Sequence, residues 1–222
     1  MKKMCAFISL ALLTGCVTPP IKDGDPFDAK DPIKPVNQQI FAFNLVADKN
    51  VIKPVAETYH NVPEVARSAV GNFLSNLSEP ANFVNGVLQL NPEVALTALW
   101  RFVLNTTYGL GGLRDFASEN GLRPKDTNFG KTLGRYGLDE GAYVVLPIIG
   151  PSTVRDTFGK AVDWVIDPVG LALNLPESIA QTVADGVSTR DSDAAIINQF
   201  YYESFEPYSA TRAAYLQHQA FQ

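Results

Sequence analysis

Few side chains in this 222-residue chain are spaced in a way that would support covalent catalysis. The two histidines, His60 and His218, belong to no Ser/His/Asp pattern that can be assembled from the sequence. The GPSTV run around Ser152 lacks the final glycine of a nucleophile elbow. The GLGGLR run at residues 109–114 lacks the third glycine of a dinucleotide-binding loop. We therefore predict no catalytic residue and no cofactor, and we expect that the protein is not an enzyme.

Cys16 is the one reactive side chain that stands in an informative setting. Lys2 and Lys3 are followed at residues 5–13 by an apolar run. This run is too short to cross a bilayer, since a spanning helix needs about 20 apolar residues, but it has the length expected of a secretory signal. The Leu-Thr-Gly-Cys sequence at its end resembles the bacterial lipobox. We predict that residues 1–15 are a signal peptide and that Cys16 is lipidated; the alternative is a plain signal peptide with a cysteine there by chance.

The residues after Cys16 indicate which membrane the lipid would hold. One acyl chain binds only marginally, whereas two or three chains make release negligible, because each buried CH₂ contributes about 0.8 kcal/mol. Val17 and Thr18 stand where an aspartate commonly retains bacterial lipoproteins at the inner membrane. We therefore expect a lipoprotein in the inner leaflet of a Gram-negative outer membrane, facing the periplasm. Because Cys5 leaves with the signal, no thiol remains for a disulfide or a thiolate metal site.

Composition excludes several classes of protein. The formal net charge of −5 gives no electrostatic footprint for nucleic acid and no general attraction to anionic lipid heads. Hydrophobic residues make up 46% of the chain, which is ordinary for a globular protein. Neither a disordered chain nor a polytopic membrane protein is expected, and the length suits one sizeable domain.

Residues 17–35 are rich in proline and aspartate, which is typical of an extended linker. With the lipidated cysteine they form a predicted tether at residues 16–35. Four aspartates in this stretch could suggest a calcium loop, but the glycine and the distant glutamate are not at the required offsets. We therefore favour a solvated linker without a metal site, followed by a single helical domain at residues 36–222.

Helix signals dominate the rest of the chain and predict an all-α fold. Pro63 with Glu64, Pro80, and Asn91 with Pro92 each predict the start of a separate helix. The tail from residue 176 is predicted to form two helices broken at Pro207. Residues 141–151 look extended, and we expect that one such segment does not make a sheet.

The segment at residues 94–104 is apolar almost all round, so we expect it to face protein or lipid on every side. No run in the mature chain reaches about 18 apolar residues, so no transmembrane span is expected. Short apolar helices tethered to lipid favour a ring- or disc-shaped bundle that lies within one membrane leaflet. Irregular backbone at that depth must be covered by protein or line a water-filled cavity.

Four sequence blocks follow one another along the chain: NFLSNLSEPANFVNGVLQ at residues 72–89, RFVLNTTYGLGGLRDFAS at 101–118, FGKTLGRYG at 129–137 and GAYVVLPIIGPSTVRD at 141–156. Together they resemble the signature blocks of the VacJ/MlaA family of outer-membrane lipoproteins. With flanking segments, the resemblance runs from Asp31 to Tyr215. The order and spacing of the four blocks make the resemblance specific, whereas one block alone would be a weak signal.

The resemblance implies a helical ring in the inner leaflet of the outer membrane, beside a trimeric porin. Through a central amphipathic channel, misplaced phospholipids would leave the outer leaflet, and a soluble periplasmic shuttle would take them onward. This transport would maintain the lipid asymmetry of the membrane. The alternative is a structural lipoprotein that scaffolds a porin or the envelope without transport.

Residues 105–112 are the predicted moving part of such a channel. Their glycines would give backbone freedom at the end of the most apolar helix, and their hydroxyls and amide could face lipid heads. The candidates for this channel and hinge are Asn105, Thr106, Thr107, Gly109, Gly111 and Gly112. The alternative is a helix C-cap and tight turn with threonines bonded to nearby backbone. Arg101 could contact a lipid phosphate or pair with an acidic residue such as Glu79.

Overall fold

The computed structural model describes Phe27, residues 30–166, Val169 and residues 175–220. The predicted signal peptide, the lipidated Cys16 and most of the predicted tether therefore lie outside the described residues. The elements in chain order are α1 (Lys34–Ala47), α2 (Lys53–His60), α3 (Glu64–Leu88), α4 (Pro92–Thr107), α5 (Phe116–Glu119), α6 (Phe129–Arg135), β1 (Tyr143–Leu146), β2 (Gly150–Thr153), α7 (Val154–Ile166), α8 (Leu175–Ser192), α9 (Ala194–Asn198) and α10 (Pro207–Ala220). A π-helical turn at Asp48–Ile52 joins α1 to α2, and another at Gln199–Glu203 follows α9.

The prediction of a mostly helical protein is confirmed, but one local expectation was wrong. The extended segment at residues 141–151 does form a sheet, because it folds back on itself and β1 pairs antiparallel with β2. Tyr143 lies opposite Thr153 in this hairpin. The reversal uses two residues with positive φ, Ile148 at 67° and Gly150 at 90°, a conformation that glycine adopts at little cost.

α3 differs from the expectation of two helices that meet at Pro80. It runs unbroken for 25 residues through that proline. Pro80 has no N–H to donate to the carbonyl group four residues earlier, which disfavours a helix interior. Side chains beside it hold the helix in place: Asn76 donates to Thr106 Oγ1 over 3.1 Å, and Glu79 accepts from Arg101. Tertiary contacts therefore outweigh the local preference.

α3 and α4 pack closely, and small residues allow the approach. A Cβ atom on Gly86 would lie 2.6 Å from the backbone nitrogen of Ala95. Asn91 caps α4 as predicted, since its side chain accepts from the Val94 N–H over 3.3 Å. The two helices therefore form one tight hairpin that positions the polar residues described below.

The C-terminal part is more divided than the predicted pair of helices. α10 begins at Pro207 as expected. The stretch before it is interrupted at Asp193 and again at the π-helical turn, which gives α8 and the short α9.

An aromatic core lies where α1, β1 and α10 meet. Its buried hydrophobic residues are Phe41, Tyr143, Val145, Tyr208 and Leu216. The ring of Phe41 meets the rings of Tyr201 and Tyr208 edge to face, with centroids 5.4 and 5.6 Å apart. Such aromatic pairs stabilise a core beyond the area that they bury.

The start of the folded body corrects the predicted end of the tether at residue 35. Asp31 is 3% exposed rather than solvated. Its carboxylate accepts from Asn37 Nδ2 over 2.7 Å, from Arg212 Nη1 over 2.6 Å and from the hydroxyl of Tyr208. Because these partners come from α1 and α10, the folded part begins before residue 36. No helix among the described residues is long and apolar enough to cross a membrane.

Candidate functional site

α3 buries polar side chains and exposes apolar ones. A polar stripe follows this helix at intervals of three and four residues, so each member lies beside the next on the helix surface. The stripe consists of Asn76, Glu79, Asn82, Asn85 and Gln89, each at most 7% exposed. Large apolar side chains of the same helix are open instead, since Val65 is 83% exposed and Val87 is 51% exposed. This polarity is the reverse of that of a helix on the surface of a water-soluble protein.

α4 shows the same reversal. Thr97, Arg101 and Asn105 are buried against the rest of the protein. Large apolar side chains on the other side are open to the surroundings, namely Leu96, Leu99, Trp100 and Val103. Contiguous exposed apolar surface of this kind marks a contact with membrane or with another protein.

Arg101 is the centre of a buried polar cluster. Its side chain is 1% exposed and pairs through Nε with Glu79. Nη1 donates to Ser118 Oγ over 2.9 Å and to the Leu122 carbonyl oxygen over 2.6 Å, while Nη2 donates to Asp115 Oδ2 over 3.2 Å. The structure thus shows the pairing with Glu79 that the sequence left as an alternative. Contact between Arg101 and a lipid phosphate stays a prediction, and it would require this cluster to open.

The pKa values of the two carboxyl groups in this cluster are shifted in opposite directions. Burial raises the pKa of Glu79, and the hydrogen bond from Arg101 offsets part of that rise. Burial would also raise the pKa of Asp115, but hydrogen bonds from Ser118, Arg101 and Asn105 outweigh it and lower that pKa. Asp115 is therefore held as a carboxylate facing the guanidinium.

The candidate residue Asn105 lies inside this cluster. It is 2% exposed, its Oδ1 accepts from the Ala117 N–H over 2.9 Å, and its Nδ2 donates to Asp115 Oδ1 over 3.1 Å. Thr106 and Thr107 are exposed, and Thr107 Oγ1 donates to the Val103 carbonyl oxygen over 2.6 Å. The structure therefore brings Asn105 to Arg101 but leaves the two threonines at the surface.

The glycine turn, residues 109–112, ends α4. The Gly111 N–H donates to the Thr106 carbonyl oxygen over 3.1 Å, and the Gly112 N–H donates to that of Asn105 over 2.8 Å. Gly111 and Gly112 have φ of 73° and 96°. These contacts satisfy the last carbonyl groups of the helix, which is the C-cap that the sequence left as an alternative. The role of the turn as a hinge stays a prediction.

Of the five members of the polar stripe, only Glu79 was named from the sequence, and the partners of the stripe's C-terminal end were not predicted. Asn85 Nδ2 donates to Asp163 Oδ1 over 2.8 Å, while Gln89 Nε2 donates to Thr127 Oγ1 over 2.6 Å and to Thr132 Oγ1 over 2.9 Å. The signal was present in the sequence, since asparagine, glutamate and glutamine recur at three- and four-residue spacing inside an apolar helix. Across the described part of the chain, no group of three or more His, Cys, Asp or Glu side chains could hold a metal ion.

The chain matches proteins of one family along most of its length. The model of the MlaA lipoprotein family matches residues 29–222. The intermembrane phospholipid transport system lipoprotein MlaA of Escherichia coli (strain K12) is 35% identical over 223 residues, which cover 96% of this chain and 85% of the relative. An uncharacterized protein of Rickettsia prowazekii (strain Madrid E) is 40% identical over 141 residues, which cover 63% of this chain and 56% of that protein.

A solved structure has the same fold. It superposes with a TM-score of 0.76 at 37% sequence identity and covers 86% of this chain and 98% of its own. That structure is described as the structural basis for maintenance of bacterial outer membrane lipid asymmetry. The resemblance seen in the four sequence blocks is therefore confirmed, and the chain belongs to the MlaA lipoprotein family.

Proposed function

We propose that this protein is an outer-membrane lipoprotein that removes mislocalised phospholipids from the outer leaflet. The reversed polarity of α3 and α4 is the observation that carries the proposal. Buried amides and charges on the inner side and exposed Leu96, Trp100 and Val103 on the outer side suit helices that meet acyl chains. The relatives named as parts of an intermembrane phospholipid transport system support the same role.

The proposed placement is a helical ring or disc in the inner leaflet, facing the periplasm. After removal of residues 1–15, acyl chains on Cys16 would hold the chain to the membrane. A short tether and the single helical domain would follow. Since none of the described helices can cross the membrane, exposed apolar side chains would fix the depth at which the body lies.

The proposed path for the lipid is an amphipathic channel. A phospholipid needs polar groups for its head, whereas its tails can remain beside apolar surface. The polar stripe of α3 supplies amides and a carboxylate at a depth where such groups are otherwise costly. Residues 105–107 and Gly109, Gly111 and Gly112 would form the movable edge of this channel. No bond is made or broken, so no catalytic residue is needed.

The proposed partners follow from the direction of transport. A lipid that leaves the membrane on the periplasmic side needs a soluble carrier, which would be a periplasmic shuttle protein. A trimeric porin beside the disc would give the channel a fixed position in the membrane. The alternative is a structural lipoprotein that binds the porin and moves no lipid.

Deletion of the gene separates these possibilities. We expect outer-leaflet phospholipid to rise, measured as the fraction hydrolysed when intact cells meet a phospholipase that cannot enter them. The wild-type gene should restore the low level. A deletion strain with normal asymmetry but altered porin abundance would contradict transport and support the scaffold.

The hinge has a matched pair of variants. Gly111 and Gly121 have φ of 73° and 88°, and a Cβ atom at either position would meet no atom within 4 Å. Gly111→Val and Gly121→Val therefore impose similar backbone strain at different places. We expect only Gly111→Val to fail to restore asymmetry. If both variants restore it at wild-type abundance, the glycine turn is not a hinge for transport.

A further inference from the structure

A groove separates the first half of α3 from the glycine turn and the residues that follow it. Its volume is about 460 Å³, and its walls include Glu64, Val65, Asn72, Leu110, Leu113 and Arg114. We propose that this groove binds one zwitterionic phospholipid, with an acyl chain on its apolar floor, the phosphate at Arg114 and the ammonium at Glu64. The proposal rests on the proposed transport function and assigns it a lipid-binding subsite.

The floor of the groove suits an acyl chain. Val65 is 83% exposed, Leu110 is 75% exposed and Leu113 is 48% exposed, so three large apolar side chains border one cavity. The volume lies within the range of about 300–1,000 Å³ typical of small-molecule sites. Covering these side chains with a hydrocarbon would remove apolar surface from water.

Leu110 is held in a strained backbone conformation. Its φ is 56°, in the left-handed region that side chains with a Cβ rarely adopt. The hydrogen bonds of the glycine turn hold this conformation, and it leaves the side chain exposed at the groove rather than buried in the core. Strain of this kind gathers at binding sites, where a ligand gains from the position that the strain enforces.

Arg114 offers a free edge to a phosphate. Its Nε donates to Glu119 Oε1 over 2.8 Å and its Nη2 donates to Oε2 over 2.6 Å. This bidentate pair orients the guanidinium and leaves Nη1 with no partner among the described residues. The side chain is 61% exposed, so a phosphate can approach it, and the planar guanidinium suits phosphate oxygens.

Glu64 supplies the opposite charge at the same groove. It stands in the first turn of α3 and has no ion-pair partner in the described part of the chain. A carboxylate here attracts the ammonium of a zwitterionic head. It repels a head whose only charge is negative, so the pair of Glu64 and Arg114 distinguishes the two classes of lipid.

The wall beside the glycine turn is fixed by α3. Asn72 Nδ2 donates to the Leu113 carbonyl oxygen over 3.2 Å. One helical turn further on, Asn76 lies so close to Gly112 that a Cβ atom there would be 2.7 Å from Asn76 Nδ2. A lipid in the groove would therefore contact the same turn that is proposed to move during transport.

Photo-cross-linking of the full lipidated protein tests the proposal. Leu113→p-benzoylphenylalanine places the probe in the groove, and Leu96→p-benzoylphenylalanine places it on the exposed face of α4. In vesicles of equal phosphatidylethanolamine and phosphatidylglycerol, we expect adducts at position 113 to be enriched in the ethanolamine lipid. Adducts at position 96 should match the bulk composition. Equal lipid ratios at both positions, or adducts at position 96 alone, would overturn the proposal.

Three charge variants in the Leu113 probe background sharpen the result. Arg114→Gln should lower adduct yield for both lipids by about tenfold, because a charged hydrogen bond to phosphate is lost. Glu119→Gln breaks the same surface pair but keeps the guanidinium, and it should retain the yield. Glu64→Gln should abolish the preference for the ethanolamine lipid. If Arg114→Gln and Glu119→Gln lower the yield equally, Arg114 binds no phosphate and the subsite is refuted.

The cellular assay distinguishes failure of the subsite from failure of transport. If deletion of the gene raises outer-leaflet phospholipid but the groove gives no selective adducts, the transport function is supported and the lipid-binding subsite is refuted. If deletion has no effect on outer-leaflet phospholipid, the proposed transport function is refuted, whatever the cross-linking result. Selective adducts at position 113 would then still show a lipid site, without a role in transport.

Discussion

α10 and α4 are helices of similar length with opposite polarity. α10 buries the large side chains Tyr208 and Leu216 and leaves Gln217 and His218 exposed. α4 buries Thr97 and Asn105, while its large apolar side chains face outward. We infer from this difference that the two helices are adapted to different surroundings, since the exposed face of a helix carries side chains that suit the medium around it.

Both helices also carry a buried arginine that pairs with a carboxylate. Arg212 on α10 meets Asp31 among aromatic rings, with both side chains 0% exposed. Arg101 on α4 meets Glu79 beside the amides of the polar stripe, with both 1% exposed. In α10 the pair joins the N-terminal segment to the last described helix, whereas in α4 it holds α3 and α4 together beneath an apolar outer surface.

The largest expected effect comes from removal of one charge in the α4 cluster. Arg101→Met leaves the Glu79 carboxyl buried without its cation, and Asp115 loses a partner as well. We expect the free energy of unfolding to fall by about 3–5 kcal/mol, as for other broken buried ion pairs. Urea unfolding in detergent micelles, followed by circular dichroism, measures this change.

The double variant Glu79→Gln with Arg101→Met is the control for this prediction. It removes both charges, so it should recover part of the stability that the single variant loses. A single variant as stable as the wild-type protein would show that the polar interior of α3 and α4 does not depend on the pair.

A second pair of variants compares the outward and inward leucines directly. Leu216→Ala in α10 removes a core side chain that is 3% exposed, and it should cost about 2–5 kcal/mol of stability. Leu96→Ala in α4 changes a side chain that is 53% exposed and should stay within about 0.5 kcal/mol of wild type. Thermal unfolding in micelles measures both, and equal losses would mean that α4 is covered by protein rather than by lipid.

Part of the structure of α4 was readable from the sequence. The apolar run at residues 94–104, the cap at Asn91 and the interruption by Arg101 predicted a helix that is apolar on nearly all sides, and the pairing of Arg101 with Glu79 was one of two uses considered. Local periodicity and capping determine these features, so a single segment is enough to predict them.

The features that were missed depend on distant contacts. Pro80 was expected to start a helix, because no local signal shows that side chains beside it bind α4. Asp31 was assigned to a solvated tether, although its partners Tyr208 and Arg212 are more than 170 residues away in the chain. The hairpin of β1 and β2 was missed since its two short strands read as one extended run.

The glycine turn offers a smaller and more local test. Gly112→Ala adds a Cβ atom at positive φ and 2.7 Å from Asn76 Nδ2, whereas Gly111→Ala adds one at positive φ with no atom within 4 Å. The left-handed conformation costs about 1–2 kcal/mol for a residue with a Cβ, so both variants should lose that amount. Gly112→Ala should lose more, because Asn76 must also move. Equal losses in urea unfolding would show that the turn is loose enough to shift away from α3.

The smallest expected effect is a dependence of stability on pH that belongs to the α4 cluster. The pKa of Asp115 is lowered from its ordinary value of 3.8, so the folded protein binds this proton less readily than the unfolded chain does. The resulting stabilisation is fully present above the unfolded pKa and is lost as pH falls through the folded pKa. As the pH is lowered below 5, the wild-type protein should therefore lose more of its free energy of unfolding than the Asp115→Asn variant does. Urea unfolding in micelles at each pH measures this difference. Parallel pH profiles would mean that the hydrogen bonds from Ser118, Arg101 and Asn105 do not stabilise the Asp115 carboxylate.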